Sequence, residues 1–587
     1  MTIKNLKNFF IGYYSLIKSI NISNENEKER ILIEVLKYLP NNRMAIHTLA
    51  KLSYENKDWI SSMRYWDILF ENGKLSLTDF LHYSRAAYFN QDINKSLKIL
   101  KIADKKFPNS EEIIKDISNV YYEIGDYEEY LKYYKVLVND LSCEISSETY
   151  LKLGDVYQKL NLLNDAEECL KSGIKAYPQV EKLYYKLAEV LMLKRDLATA
   201  INLLENECPI NSREISLFIS VLYKISGDHL KANSVFDTLC NQEVAQEAEQ
   251  YRKYLLFDNG ESRIEFYKCL TETTSIIVTF DSINMEWDAN PFAFKILREH
   301  NLDILAVRKR KKKTYQQDLT QNDFFKIASP ILSGYTDKMA YGFSLGAYSA
   351  LYFASLLNCR ILALSPRLSI HPIYGRTKII PQFKMEHNIE LPNNTTISPI
   401  VVFDPKNALD NKYIRESVLT SFPNSILIET PYIGHGVAPQ LLKMGLLKKF
   451  VIDFINMATP SYDREKAKIY STTYYVNLGT ECLNRNKLHW ALNLADKAIE
   501  RSPKDIHAIK LKIKVLIKMD NYKEAAVFTK KAIQKKPNTL DIRLYLIDIY
   551  IKMGEIEKAR LETTSAQNKF KKNKSITKRQ HQLTSLS

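Results

Sequence analysis

The sequence predicts a multidomain chain, with α-helical repeat solenoids on both sides of a central α/β domain whose sheet is mostly parallel. Three observations lead there: a 34-residue spacing of small residues and prolines toward both ends, the loss of that spacing after Cys269, and a Gly-x-Ser-x-Gly turn in the middle. The chain has 587 residues, and at about 100–200 residues per domain it divides into three or four units.

Self-similarity at a fixed period of about 20–50 residues marks a repeat architecture. Ala491, Ala525 and Ala559 are in phase, as are Pro503 and Pro537, and Ala498, Ala532 and Ala566. Upstream, Tyr150, Leu153, Gly154, Tyr157, Ala166 and Pro178 form one unit, and Tyr184, Leu187, Ala188 and Ala200 form the next. Tyr475, Leu478, Gly479, Ala491 and Pro503 open the C-terminal set. Small residues let two helices approach closely, an aromatic fills the gap between them, and proline ends the second helix. The pattern resembles the tetratricopeptide repeat, with Tyr in the place of its Trp. About six units fit between Arg43 and Asn241 and about three between Ser471 and Phe570, enough for each array to bury its own core. Such arrays imply protein partners on a concave face. The expected division is 1–42 N-terminal helical segment, 43–241 repeat array, 242–270 helical linker, 271–457 α/β domain, 466–570 second array and 571–587 basic disordered tail.

After Cys269, short apolar runs alternate with amphipathic stretches, the pattern of a parallel sheet covered by helices. Strands are expected at 275–280, 303–307, 338–341, 360–364, 399–403 and 425–429, and helices at 291–300, 347–357 and 412–421. The third strand runs into Tyr341-Gly342-Phe343-Ser344-Leu345-Gly346, and an apolar helix follows at once. Glycine and serine are common in turns, so the motif gains its weight from this strand-turn-helix context. There a serine holds strained backbone angles, flanking glycines relieve crowding, and the hydroxyl projects beyond the sheet edge at a helix N-terminus. Ser344 is the candidate nucleophile.

An acid and then a histidine are expected downstream of such a serine. Of His300, His371, His387 and His435, only His435 lies beyond the last expected strand, between two glycines. For the acid, the strand at 399–403 leads straight into Asp404, which is preferred; Asp410, expected as the N-cap of the next helix, is the alternative. In this triad His435 takes the Ser344 proton and returns it to the leaving group, while the aspartate fixes the imidazole tautomer. The oxyanion donors are expected at Leu345 N–H and in the Phe280-Asp281-Ser282 turn.

The central block resembles the α/β-hydrolase superfamily, and more narrowly the bacterial hydrolase-like proteins of surface-polysaccharide and glycoprotein O-acetylation. The further cues are Val278-Thr279-Phe280-Asp281-Ser282, Tyr315-Gln316 after a basic turn, and the loop from Phe403 to Asp410. The resemblance covers about a third of the chain. It implies a serine triad that moves an acetyl group onto or off a carbohydrate hydroxyl, with acetyl-CoA as an acyl donor and a bacterial glycan or glycoconjugate as substrate. Transferase and esterase share the serine acyl-enzyme and differ only in whether a sugar hydroxyl or water receives the acyl group. The basic run from Arg308 to Lys313 follows the second strand at the sheet's carboxyl edge, where ligands gather. Lys311, Lys312, Lys313 and Tyr315 are therefore candidates to hold an anionic glycan or the phosphates of acetyl-CoA, the alternative being a solvated loop. A different class of function is a non-catalytic adaptor, its hydrolase-like domain degenerate and its arrays assembling partners.

Composition narrows the field. The net charge is +15 with 83 basic and 68 acidic residues, spread along the chain, which favours anionic partners without singling one out. No P-loop, dinucleotide-binding glycine fingerprint or metal-ligand cluster is present in the sequence, and no nucleic-acid partner or metal is expected. The seven cysteines include no CxxC pair and suggest reduced thiols. The apolar stretch at 9–17 is far shorter than the roughly 20 residues that span a bilayer, so a cytoplasmic protein without a membrane span is expected, at most held at the inner face of the membrane through a biosynthetic complex.

Overall fold

The computed structural model describes residues 3–20, 22, 24–71, 73, 75–137, 145–240, 250–310, 315–376, 383–570 and 573–586. The chain forms two compact units, one of residues 1–194 and 206–210 and the other of residues 195–205 and 211–587.

The first unit is helical. Helices Ile3–Ile20 and Glu25–Tyr38 precede hairpins Arg43–Glu55 with Trp59–Glu71, Leu77–Phe89 with Ile93–Lys106, Glu111–Ile124 with Tyr127–Lys135, and Ser147–Lys159 with Leu163–Ala176. Helix starts carry side-chain caps at Asn42, Ser76, Asp92, Asp126 and Ser146, each supplying an acceptor to an otherwise unpaired first-turn amide. Close approach explains the small residues: a Cβ on Gly154 would lie 2.8 Å from the Leu170 side chain.

The second unit holds helical hairpin Arg213–Ser226 with His229–Cys240, an eight-stranded sheet, and the C-terminal helices. The strands are β1 (Tyr251–Asp258), β2 (Ser262–Cys269), β3 (Ser275–Phe280), β4 (Asp303–Lys309), β5 (Asp337–Phe343), β6 (Arg360–Leu364), β7 (Ile400–Phe403) and β8 (Ile426–Glu429). Their order across the sheet is β1-β2-β4-β3-β5-β6-β7-β8. β2 is antiparallel to β1 and β4, and all other pairs are parallel. From β3 the chain moves to β4 on one side, then to β5 on the other. The crevice at the carboxyl ends of β3 and β5 is thus a topological switch point, where open α/β sheets bind ligands.

The structure corrects four expectations. Within the expected 242–270 helical linker, β1 and β2 form an antiparallel hairpin at the sheet edge, turning at Asn259-Gly260 with Gly260 at φ 85; residues 242–249 lie outside the described residues. The Asn-Gly turn is a hairpin signal, but β2 carries buried Glu265 and Lys268, whose charges mask its apolar character. The helix expected at 291–300 shrinks to Phe294–Leu297. The expected disordered tail contains helix Lys574–Ser585, with Ile576 and Leu583 buried and Arg579 Nε donating to Asp548 at 2.7 Å. Its two apolar residues fall on one helical face and cap the last repeat, a need shared by all stacked arrays. Finally, the cap of helix Ala408–Tyr413 is Asn407, which accepts from Asp410 N.

Three hairpins follow the sheet: Thr472–Asn484 with Leu488–Arg501, Ile506–Lys518 with Tyr522–Lys535, and Leu540–Lys552 with Ile556–Lys569. The in-phase alanines 491, 525 and 559 are all fully buried. One apolar cluster joins sheet residues Ile277, Met339, Tyr341 and Leu362 to Phe450 and Phe454 and on to Tyr474, Tyr475 and Ala508, so the first C-terminal repeat shares the core of the sheet. Among the described residues, no helix is long and apolar enough to cross a membrane.

Candidate active site

Ser344 stands between β5 and helix Leu345–Phe353 at φ 55 and ψ −113, a region unfavourable for a residue with a side chain. The end of β6 and the loop after it hold it there: its N–H donates to Leu364 O at 2.9 Å, and its carbonyl accepts from Arg367 N at 3.1 Å. Both flanking glycines are required. A Cβ on Gly342 would lie 2.2 Å from the Gly346 carbonyl, and one on Gly346 would lie 2.3 Å from Phe280 O. The turn is thereby pressed against the end of β3.

Ser344 Oγ and His435 Nε2 are 2.9 Å apart. His435 Nδ1 faces Asp410, at 2.9 Å from Oδ2 and 3.2 Å from Oδ1. Asp410 is wholly buried, whereas the His435 side chain remains 25% exposed and Ser344 half-buried, so the hydroxyl and imidazole are reachable from solvent.

Asp404, the acid preferred from the sequence, is engaged elsewhere. Its carboxylate accepts the backbone N–H groups of Lys406 at 2.8 Å, Tyr432 at 3.0 Å and Gly434 at 2.6 Å. Burial pushes its carboxyl above the ordinary range, against the pull of these three donors. Asp404 pins the turn that presents His435, and Asp410 reaches the ring. Proximity to a strand end pointed to the wrong carboxylate because the turn at 430–434 folds back over the strand and takes the nearer one.

Leu345 opens its helix, so its N–H has no helical carbonyl four residues back, and it directly follows Ser344 in the chain. In the opposing turn, Phe280 is the last ladder residue of β3 and Asp281 N already donates to Val307 O at 3.1 Å. Asp281 is therefore not an available oxyanion donor, and Ser282 is the remaining candidate from that turn. The Asp281 side chain is buried and serves the scaffold, accepting from Arg308 Nε at 2.8 Å and Phe292 N at 3.3 Å.

The basic run divides. Lys311, Lys312 and Lys313 lie outside the described residues. Arg308 and Lys309 belong to β4 and are buried, which removes them from the expected surface grip. Arg308 also pairs with Glu265 at 3.3 Å and donates to Glu286 O at 2.9 Å, while Lys309 donates to Ile283 O at 2.9 Å. Together they fix the loop beyond β3. Tyr315 is also mostly buried, packed edge-on against Phe383 at 5.5 Å, an arrangement of packing rather than of an open ligand contact.

Two residues went unnoticed in the sequence. Arg367, in the loop after β6, places Nη2 2.5 Å from Asp410 Oδ1 and 2.9 Å from Asn407 Oδ1; a charged side chain just past an apolar strand at the carboxyl edge is the signal that marks it. Asn477, on helix Thr472–Asn484, donates from Nδ2 to Tyr432 O at 3.0 Å, and nothing local in its repeat reveals this. Around it Tyr432 meets Tyr474 edge-on at 6.0 Å and Gln440 Nε2 donates to Thr473 Oγ1 at 3.0 Å. The turn carrying His435 is thus braced by a repeat helix. Among the described residues, no group of three or more potential ligands could hold a metal ion.

Comparison with known proteins gives the class of the flanking regions. Residues 147–180 and 516–574 each match a family described as tetratricopeptide repeat, and the chain therefore carries tetratricopeptide repeats on both sides of a mixed sheet. No curated protein sequence matches the chain. Among solved structures it is similar to MamA, at 20% identity over 29% of this chain and 97% of that one with a TM-score of 0.26. It is also similar to a tetratricopeptide repeat protein from Parabacteroides merdae, at 10% identity over 41% and 94% with a TM-score of 0.28. A third similarity is to Naa15/Naa10 bound to HypK-THB, at 13% identity over 97% and 69% with a TM-score of 0.29.

Proposed function

We propose that the sheet region is an α/β-hydrolase-like domain performing serine-dependent acyl transfer on a carbohydrate, as an O-acetyltransferase or acetyl esterase, and that the arrays dock it to protein partners. The observation that carries the chemistry is the continuous Ser344–His435–Asp410 hydrogen-bond chain at a strained strand-to-helix turn. The carbohydrate acceptor and an acetyl-CoA donor rest on the sequence resemblance.

In this reading His435 Nε2 accepts the Ser344 proton as Oγ bonds to the acyl carbon, and the electron pair moves onto the acyl oxygen. Leu345 N–H, with Ser282 N–H as the second donor, stabilises that oxyanion. Collapse breaks the bond to the leaving group, which takes the proton from His435 and leaves an acyl-Ser344. Water or a sugar hydroxyl then gives its proton to His435 and bonds to the acyl carbon; the second collapse breaks the Ser344 Oγ–acyl bond, and His435 returns the proton to Oγ. Asp410 holds the imidazole tautomer throughout.

A fluorophosphonate probe is expected to label the full chain on Ser344 and to leave Ser344→Ala unlabelled, with the substitution's Tm unchanged. Incubation with labelled acetyl-CoA then separates the two activities: an acetyl-Ser344 discharged by glycans indicates transfer, and cleavage of simple acetyl esters without that label indicates an esterase. A native chain that neither takes the probe nor cleaves an ester would overturn the enzymatic reading.

A further inference from the structure

Arg367 stands out among charged groups near the site because its side chain is almost fully buried, at 5% exposure, and only part of it is used. Nη2 is shared between Asp410 and Asn407, while Nε is buried with no hydrogen-bond partner among the described residues. Its backbone N–H holds the Ser344 carbonyl, so one residue touches both the nucleophile turn and the acid. Asp410 Oδ1 receives the guanidinium at 2.5 Å and faces the imidazole at 3.2 Å. Asn407 completes the cradle, accepting from both Asp410 N and Arg367.

We propose that Arg367 is a positioning residue that keeps the buried Asp410 ionised and opposes protonation of His435, leaving the imidazole ready to accept the serine proton. The inference rests on the acyl-transfer reading above. An isolated carboxylate without exposure would tend to neutralise itself, and a permanently charged guanidinium at hydrogen-bond distance prevents that. The same positive charge takes part of the Asp410 charge that would otherwise stabilise an imidazolium. Among the described residues, the other charged or titratable groups around the pair include Arg376 on the loop after β6, Asp404 and Lys406 after β7, and Tyr462 beside Asp404. The cation paired directly with Asp410 is Arg367.

The sign of the effect is fixed by this pairing. Removing the cation strengthens proton binding by the His435–Asp410 pair, whichever member holds the proton, so the acid limb of kcat/KM moves to higher pH. Arg367→Gln is expected to shift that limb upward by about one unit, the scale of a nearby charge. Arg367→Lys keeps the charge but loses the fork, and is expected to keep the limb near its original position with a lower plateau. A purely structural role would lower the plateau in both variants without moving the limb. The double variant Arg367→Gln with Asp410→Asn removes both charges and guards against loss of fold in the single one. The imidazole is also followed directly by NMR in full-length protein with ring-labelled histidine, the His435 signal among ten histidines being assigned by its absence in His435→Gln. An unmoved His435 titration in Arg367→Gln overturns the proposal even if wild-type turnover is absent, whereas missing turnover and probe labelling with a shifted titration overturns only the functional reading.

Discussion

At the scale of single residues, the two aspartates after β7 divide between them a role that the sequence assigns to one. Asp410 orients the imidazole, and Asp404 holds the turn on which the imidazole rides. Under the proposed mechanism, Asp410→Asn is expected to lower kcat/KM by about 10³–10⁴-fold, since an amide favours the wrong tautomer, and also to lower Tm, because it leaves the buried Arg367 guanidinium without its carboxylate. Asp404→Ala is expected to act mainly through the fold. It leaves three backbone donors without their acceptor and destabilises the fold by at least about 1–3 kcal/mol, read in urea unfolding, with the smaller loss of rate. Equal rate losses in the two variants would contradict this division. Asp281 and Arg308 both stand where a ligand contact is expected, and they pair with each other instead.

At the scale of elements, a buried ionic cluster ties helix Arg213–Ser226 to the sheet. Lys224 Nζ donates to Tyr335 OH at 3.1 Å and lies 3.6 Å from Asp303, which also meets Lys268 at 3.3 Å and accepts from Tyr335. Burial, aided by repulsion from Lys268 and opposed by Asp303, lowers the Lys224 pKa to about 8, against about 10.4 in an unfolded chain. Between those values the unfolded chain holds more protons than the folded one, so stability gained at this site rises with pH. The burial cost is fully present below about pH 8 and is relieved as pH rises through it. Lys224→Met has no such proton to lose. The Tm difference between wild type and Lys224→Met is therefore expected to move in favour of wild type between pH 7 and pH 9.5, by at most about 3 kcal/mol in free energy. A difference independent of pH would show that Lys224 is already neutral or remains charged throughout.

At the scale of the whole molecule, the sheet does not end where the periodicity changes. β2 covers the edge of β4 and supplies Glu265 to Arg308, while helix Thr472–Asn484 braces the His435 turn. Residues 271–457 expressed alone lose both. An unpaired β4 edge invites association with other chains, and Arg308 is left with one carboxylate. That segment is expected to aggregate and to resist fluorophosphonate labelling, whereas residues 211–587, the greater part of the second unit, are expected to label like the full chain. In the full chain Asn477→Leu is expected to lower kcat by about 10- to 100-fold through misplacement of His435, with the repeats intact by circular dichroism. A soluble, fully labelled 271–457 segment would show the repeats to be dispensable for the site.

Features encoded in a contiguous stretch of chain are legible without the fold. The repeats declare themselves because alanine and glycine recur wherever two helices touch, and the Ser344 turn because strand, glycines and helix are contiguous. His435 is identifiable because, within the central domain, chain order leaves one histidine beyond the last strand. Folding settles which aspartate meets that histidine, that Arg367 stands behind it, that Arg308 and Lys309 are buried, that Tyr251–Asp258 and Ser262–Cys269 are strands, and that a repeat helix braces the His435 turn. Each of these depends on side chains brought together from distant segments. A buried charge reads in sequence like a solvated one until its partner is known.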